Sequence, residues 1–83
     1  MDHPPIILYT QTGCVESAQT RAWLQQRGLP FLERNVTDDA AAAQALAETG
    51  IFATPLVVVK TQKVLGFRPH AIEAALEASG IDP

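Results

Sequence analysis

Tyr9-Thr10-Gln11-Thr12-Gly13-Cys14-Val15-Glu16-Ser17 is the stretch on which the fold turns. The apolar run that leads into it, Ile6-Ile7-Leu8-Tyr9, is short and ends in polar residues, the pattern of a buried strand. Thr10 to Gly13 reads as a turn. A helical pattern then begins, and the chain's only cysteine lies in its first turn. Free backbone N–H groups and the positive end of the helix dipole both favour an anion there. A thiol at such a position loses its proton more readily and reacts faster near neutral pH. The stretch reads as a strand–turn–helix corner that carries a reactive thiol.

Working outward, strand one is expected over 6–10 and helix one over 14–27, with Ala18, Ala22 and Leu24 or Trp23 on its apolar side. Gly28 and Pro30 stop that helix. Phe31 to Val36 predicts a second strand, and its charges suit a sheet edge. Thr37-Asp38-Asp39 supplies the cap of an alanine-rich helix over 40–48. Leu56-Val57-Val58-Val59 is the most β-prone run in the chain. A turn over Lys60 to Lys63 and a short arm at Val64-Leu65 complete a hairpin. Pro69 fits the first position of a last helix, with Ile72, Ala75, Leu76 and Ser79 on one face. The order is β-α-β-α-β-β-α. A right-handed crossover makes strands one and two parallel. Helices on both faces of a four-stranded mixed sheet then cover its apolar surfaces.

Eighty-three residues with 47% hydrophobic content suffice for one domain and one core, with residues 1–5 as an N-terminal tail. The net charge of −3, without blocks of like charge, disfavours nucleic acid and anionic membrane as partners. One cysteine and two histidines offer no metal-site spacing and no internal disulfide, so the cytoplasm is the expected compartment. The apolar run after the Pro-rich start is too short for a signal peptide or a membrane span.

The element order, the cysteine at the first strand–helix junction and Thr54-Pro55 before the third strand resemble the thioredoxin fold in its minimal, glutaredoxin form. With Tyr9-Thr10, Gly13-Cys14 and Gly66-Phe67-Arg68-Pro69 in that order, the chain is similar to NrdH-type redoxins of the glutaredoxin family. The resemblance implies a thiol–disulfide oxidoreductase that donates electrons to protein disulfides. In NrdH-type redoxins the acceptor is ribonucleotide reductase, served by two cysteines. Here Ser17 stands where the second cysteine falls, giving the C-x-x-S spacing of monothiol glutaredoxins. The glycine pair with which glutaredoxins bind the glutathione carboxylate is replaced by the run Gly66 to His70, in which Pro69 has no N–H.

The expected catalytic residues are Cys14, as nucleophile, and Ser17, facing it across the first helical turn. Gln11 and Thr12, which flank the thiol, are expected to touch substrate. The resemblance implies that Thr54-Pro55 is cis and turns its backbone toward the thiol, ready to pair with an extended peptide. It also implies a docking surface at Phe67 and Arg68, with Arg68 taking a partner carboxylate. No metal and no bound cofactor are expected. Glutathione or another small thiol is the expected co-substrate, a protein disulfide the substrate, and a small thiol or a thioredoxin-reductase-type enzyme the reductant. The chain is expected to be a monomer that forms a Cys14-linked dimer on oxidation. A second reading stays open: a non-catalytic redox-sensing or iron–sulfur-binding module of the same fold.

Overall fold

The computed structural model describes residues 5–81, so the expected N-terminal tail lies outside the described residues except for Pro5. The elements follow the expected order: β1 (Ile6–Thr10), α1 (Val15–Gln26), β2 (Leu32–Asn35), α2 (Ala40–Glu48), β3 (Leu56–Val59), β4 (Gln62–Leu65) and α3 (Pro69–Ala78). They build one mixed sheet in the order β2-β1-β3-β4. β1 runs parallel to β2 and antiparallel to β3, and β3 and β4 form an antiparallel hairpin.

Alternation along the strands sorts the side chains into two layers. Ile6, Leu8, Val57, Val59 and Val64 point to one face, where Leu24 of α1 and Ile72, Ala75 and Leu76 of α3 cover them. Tyr9 and Leu56 point to the other face and meet Leu46 of α2. The alanine-rich α2 buries only Ala42 and Leu46. Its start is fixed by Asp39, whose carboxylate accepts the N–H groups of Ala41 and Ala42 at 3.0 and 3.2 Å. Such a cap is worth about 1 kcal/mol.

Four local expectations need correction. Helix one starts at Val15, with Cys14 as its N-cap, and ends at Gln26. Ala18 and Ala22 are exposed, and the buried side of α1 is Ser17, Thr20 and Leu24. Thr20 tolerates burial because its hydroxyl donates to the Glu16 carbonyl at 2.8 Å. Strand two is shorter than Phe31–Val36, although it does occupy a sheet edge. The hairpin turn is tighter than the expected Lys60–Lys63: Val59 pairs with Gln62, which leaves Lys60 and Thr61 as the loop. Lys60 adopts φ 54°, a conformation usually left to Gly or Asn, so the turn carries no signal in its residue types.

An ion pair fixes α1 over the sheet edge. Arg21 donates from Nε to Oε1 and from Nη2 to Oε2 of Glu33, both at 2.7 Å, and the buried Thr10 hydroxyl donates to Oε2 at 2.9 Å. Arg21 first, and Thr10 after it, hold the Glu33 carboxyl below its ordinary range. Its stabilisation is therefore complete above the unfolded value of about 4.3 and is lost as pH falls through the lower folded value. Glu33→Gln should cost about 1–2 kcal/mol at pH 7 and close to nothing once both states are protonated. Urea unfolding at the two pH values checks this, and an equal loss at both would contradict it.

Candidate active site

β1 delivers the chain to the site at its C-terminal end. Gly13 takes φ 84°, and Cys14 follows with φ −85° and ψ 113°, the extended geometry of an N-cap. The Cys14 N–H donates to the Gln11 carbonyl at 3.1 Å, which closes the turn. The Cys14 carbonyl accepts the first helical bond, from Ala18, at 3.2 Å. Sγ itself caps the helix by accepting the Ser17 N–H at 3.4 Å. A thiolate would strengthen that bond, because the free N–H groups of a helix start favour negative charge.

Ser17 is 1% exposed and lies beneath the thiol. Its Oγ accepts the Gln11 N–H at 3.4 Å, which leaves its own proton to donate to Sγ. Together these contacts place the Cys14 thiol below its ordinary value. The Ser17 hydroxyl contributes most. Partial burial opposes it, and the Ser17 N–H, the Thr54 hydroxyl and the Glu16 N–H add smaller effects in the lowering direction. The direction matches the expectation from the helix start alone.

The Thr54–Pro55 peptide is cis. The Thr54 carbonyl lies 3.9 Å from Sγ and accepts its proton when the thiol is protonated. The Thr54 hydroxyl donates to the Gln11 amide oxygen at 3.4 Å, so Thr54, Gln11 and Cys14 form one group. Pro55 is buried behind them. Gln11 and Thr12 are exposed and line a pocket of about 430 Å³ that opens at Cys14. Thr12 is held from β2: its hydroxyl accepts from Asn35 Nδ2, and its N–H donates to the Thr37 hydroxyl, both at 3.1 Å. Phe67 is half-buried. Arg68 is exposed at the N-cap of α3 and makes no side-chain capping bond. Neither Phe67 nor Arg68 lines the pocket at Cys14.

No motif or spacing singles out Glu16. Its Oε1 accepts the Phe67 N–H at 2.9 Å across 51 residues, tying the start of α1 to the turn between β4 and α3. Gly66 makes the approach possible. It has φ 86°, and a Cβ there would sit 3.3 Å from the same oxygen. Two exposed apolar side chains were also missed: Val15, 72% exposed next to Cys14, and Phe52, 79% exposed two residues before Thr54. Among the described residues no three His, Cys, Asp or Glu side chains gather as a metal site.

Comparison with known proteins agrees with this geometry. The model of the glutaredoxin family, described as "Glutaredoxin", matches residues 6–64, well over half of the chain. The chain belongs to the glutaredoxin family. It is also similar to the glutaredoxin-like protein NrdH of Escherichia coli strain K12. That match is 34% identical over 67 residues, which is 81% of this chain and 83% of the relative. Among solved structures, the thioredoxin-like protein BC3987 superposes with a TM-score of 0.80 at 29% identity, covering 86% of this chain and 99% of that one. The glutaredoxin-like NrdH-redoxin from Escherichia coli, described for its thioredoxin-like activity profile, superposes with a TM-score of 0.74 at 33% identity. It covers 83% of this chain and 91% of that one. The family is one of thiol–disulfide oxidoreductases, and the thioredoxin-like fold expected from the sequence is the fold of the protein. Among the described residues no helix is long and apolar enough to cross a membrane.

Proposed function

We propose that the protein is a single-cysteine thiol–disulfide oxidoreductase acting on protein disulfides. The observation that carries this reading is Sγ of Cys14 at the N-cap of α1, accepting the Ser17 N–H and backed by the Ser17 hydroxyl. The Cys14 thiolate attacks one sulfur of a substrate disulfide. The S–S bond breaks, the other sulfur leaves as a thiolate with the electron pair, and Cys14 is left in a mixed disulfide. A second thiolate then attacks the Cys14 sulfur, breaks the mixed disulfide and releases the substrate as its second thiolate. A third thiolate attacks the resolving sulfur now bound to Cys14 and releases the Cys14 thiolate. Atoms and electrons balance: the substrate disulfide gains two electrons and becomes two thiols, and the two resolving thiols lose them and become a disulfide.

Gln11, Thr12, Thr54 and Pro55 form the substrate groove in this reading, with the backbone beside Thr54 pairing with an extended peptide. Val15, exposed and lining the pocket at Cys14, gives the groove an apolar margin for a protein partner. Phe67 and Arg68 lie further out and meet the bulk of that partner. Ser17 holds the thiolate and cannot resolve the mixed disulfide. The reductant is therefore external: a small thiol, or a cysteine of a partner such as a thioredoxin-reductase-type enzyme. A reducing compartment such as the cytoplasm supplies either one.

The rate of iodoacetamide alkylation against pH tests the reading. Its midpoint should fall below the free-cysteine value of about 8.5, and a midpoint at or above that value would remove Cys14 as the nucleophile.

A further inference from the structure

We propose that the pocket at Cys14 is a subsite for the substrate side chain that neighbours the attacked cysteine, and that it takes the amide oxygen of an Asn or Gln. The proposal rests on the exchange chemistry above and names the substrate class of that same site. The pocket, about 430 Å³, lies on the side of α1 that meets β2. Val15, Ala18 and Arg21 line it from the helix, Thr12 from the preceding turn and Asn35 from the sheet edge. Cys14 lines it as well, so a mixed disulfide brings the residue beside the substrate cysteine to its mouth. Gln11 lines it too and bonds to Thr54, so the pocket adjoins the groove in which an extended peptide would pair.

The hydrogen bonds of the polar wall run in one direction. The Thr37 N–H can only donate, and it donates to Asn35 Oδ1 at 2.8 Å. That fixes the Asn35 amide, whose Nδ2 donates to the Thr12 hydroxyl at 3.1 Å. The Thr12 oxygen has accepted, which leaves its proton to donate. Arg21 commits Nε and Nη2 to Glu33, which among the described residues leaves the N–H groups of Nη1. Thr12, Asn35 and Arg21 therefore each keep a donor. The acceptors behind them, Asn35 Oδ1 and the Glu33 carboxylate, already hold partners. Glu33 also balances the charge of Arg21, so the wall offers hydrogen bonds rather than net charge. A neutral acceptor suits it, with its methylenes against Val15 and Ala18. The amide N–H groups stay in water, because Gln11, Thr12 and Ala18 are exposed. A Lys or Arg side chain would bring only donors to a wall of donors.

Homodimeric disulfides of the blocked peptide Ala-X-Cys-X-Ala, with Gln, Ala, Glu or Lys as X, test the subsite. Intact-mass kinetics follow Cys14–S⁻ + RSSR → Cys14–SSR + RS⁻ on the full chain. Each rate is divided by that of the same peptide with a free cysteine thiolate, which removes differences in leaving-group basicity. In the parent protein the Gln peptide should exceed the Ala peptide about fivefold, the scale of one hydrogen bond, and the Lys peptide should not exceed the Ala peptide. Thr12→Val removes one donor at nearly constant shape and should lower the Gln-to-Ala ratio about twofold or more. Ala18→Leu fills the apolar floor and should bring the ratio to one.

A Gln-to-Ala ratio of one in the parent, or a ratio that both variants leave unchanged, would overturn the subsite and leave the exchange reading in place. A Glu or Lys peptide faster than the Gln peptide would assign the selection to charge and overturn it as well. Every comparison is between peptides on one protein, so a loosened corner, which moves all rates together, would not mimic the effect. Failure of the parent protein to form an adduct with any peptide would instead overturn the exchange reading, and the subsite with it.

Discussion

Cys14→Ser should abolish disulfide exchange, lowering it by several orders of magnitude to the uncatalysed background, while leaving the fold as stable as before. The two halves of this expectation have separate causes. A serine hydroxyl forms no S–S bond, so no mixed disulfide can arise. As an N-cap, though, serine is among the preferred residues, and its oxygen can accept the Ser17 N–H that Sγ now accepts at 3.4 Å. Stability should change by no more than about 0.5–1 kcal/mol, and in the favourable direction. Exchange with a model disulfide and thermal unfolding, measured on the same preparation, check both halves. Exchange that survives in the variant would remove Cys14 from the mechanism. A large loss of stability would mean that the thiol has a packing role that the helix cap does not explain.

The second large effect is expected from Ser17→Cys. Residues three apart on a helix have Cβ atoms about 5–6 Å apart, and a disulfide needs about 3.5–4.5 Å. A modest adjustment at the N-cap closes that difference, because Cys14 is not held in helical geometry. The substitution should convert the protein to a dithiol redoxin that forms an internal disulfide under mild oxidant, open to reduction by a thioredoxin-reductase-type enzyme. The parent chain should give only intermolecular species, a Cys14–Cys14 dimer or a small-thiol adduct. The cost falls on Gln11, whose N–H loses its 3.4 Å bond to the Ser17 hydroxyl. Non-reducing gels and intact mass decide the outcome. If the Ser17→Cys protein accumulated only dimers, residues 14 and 17 would not face one another as described.

Both predictions start from features legible before any coordinates. The acidic character of a thiol at a helix start depends on the few residues that build the turn and the first N–H groups. Thr10 to Ser17 contain all of them except the Thr54 hydroxyl, which adds a smaller effect. The element order, the Asp39 cap, Pro69 at the start of α3 and the edge position of a charged β2 are local in the same sense. Each follows from backbone conformation, from capping or from the period of the apolar residues, which act over a few positions.

What the tertiary structure alone decided lies at long separation. Alanine is apolar enough to be placed on a core face by its period, yet small enough to be left in solvent at little cost. Ala18 and Ala22 are exposed, and Ser17 and Thr20 are buried in their stead with their hydroxyls satisfied. Which side of α1 meets the sheet is set by the crossover from β1 to β2. That crossover also brings Arg21 onto Glu33. The Glu16–Phe67 contact exists only because the β3–β4 hairpin returns the chain beside the start of α1. No property of Glu16 or its neighbours signals a partner 51 residues away. Cys14 and its helix start fix the chemistry of the thiol through local backbone electrostatics. The side chains and carbonyls that surround the thiol, from Thr54 to the Glu16–Phe67 tie, are assembled by strand pairing, whose outcome depends on the whole sheet.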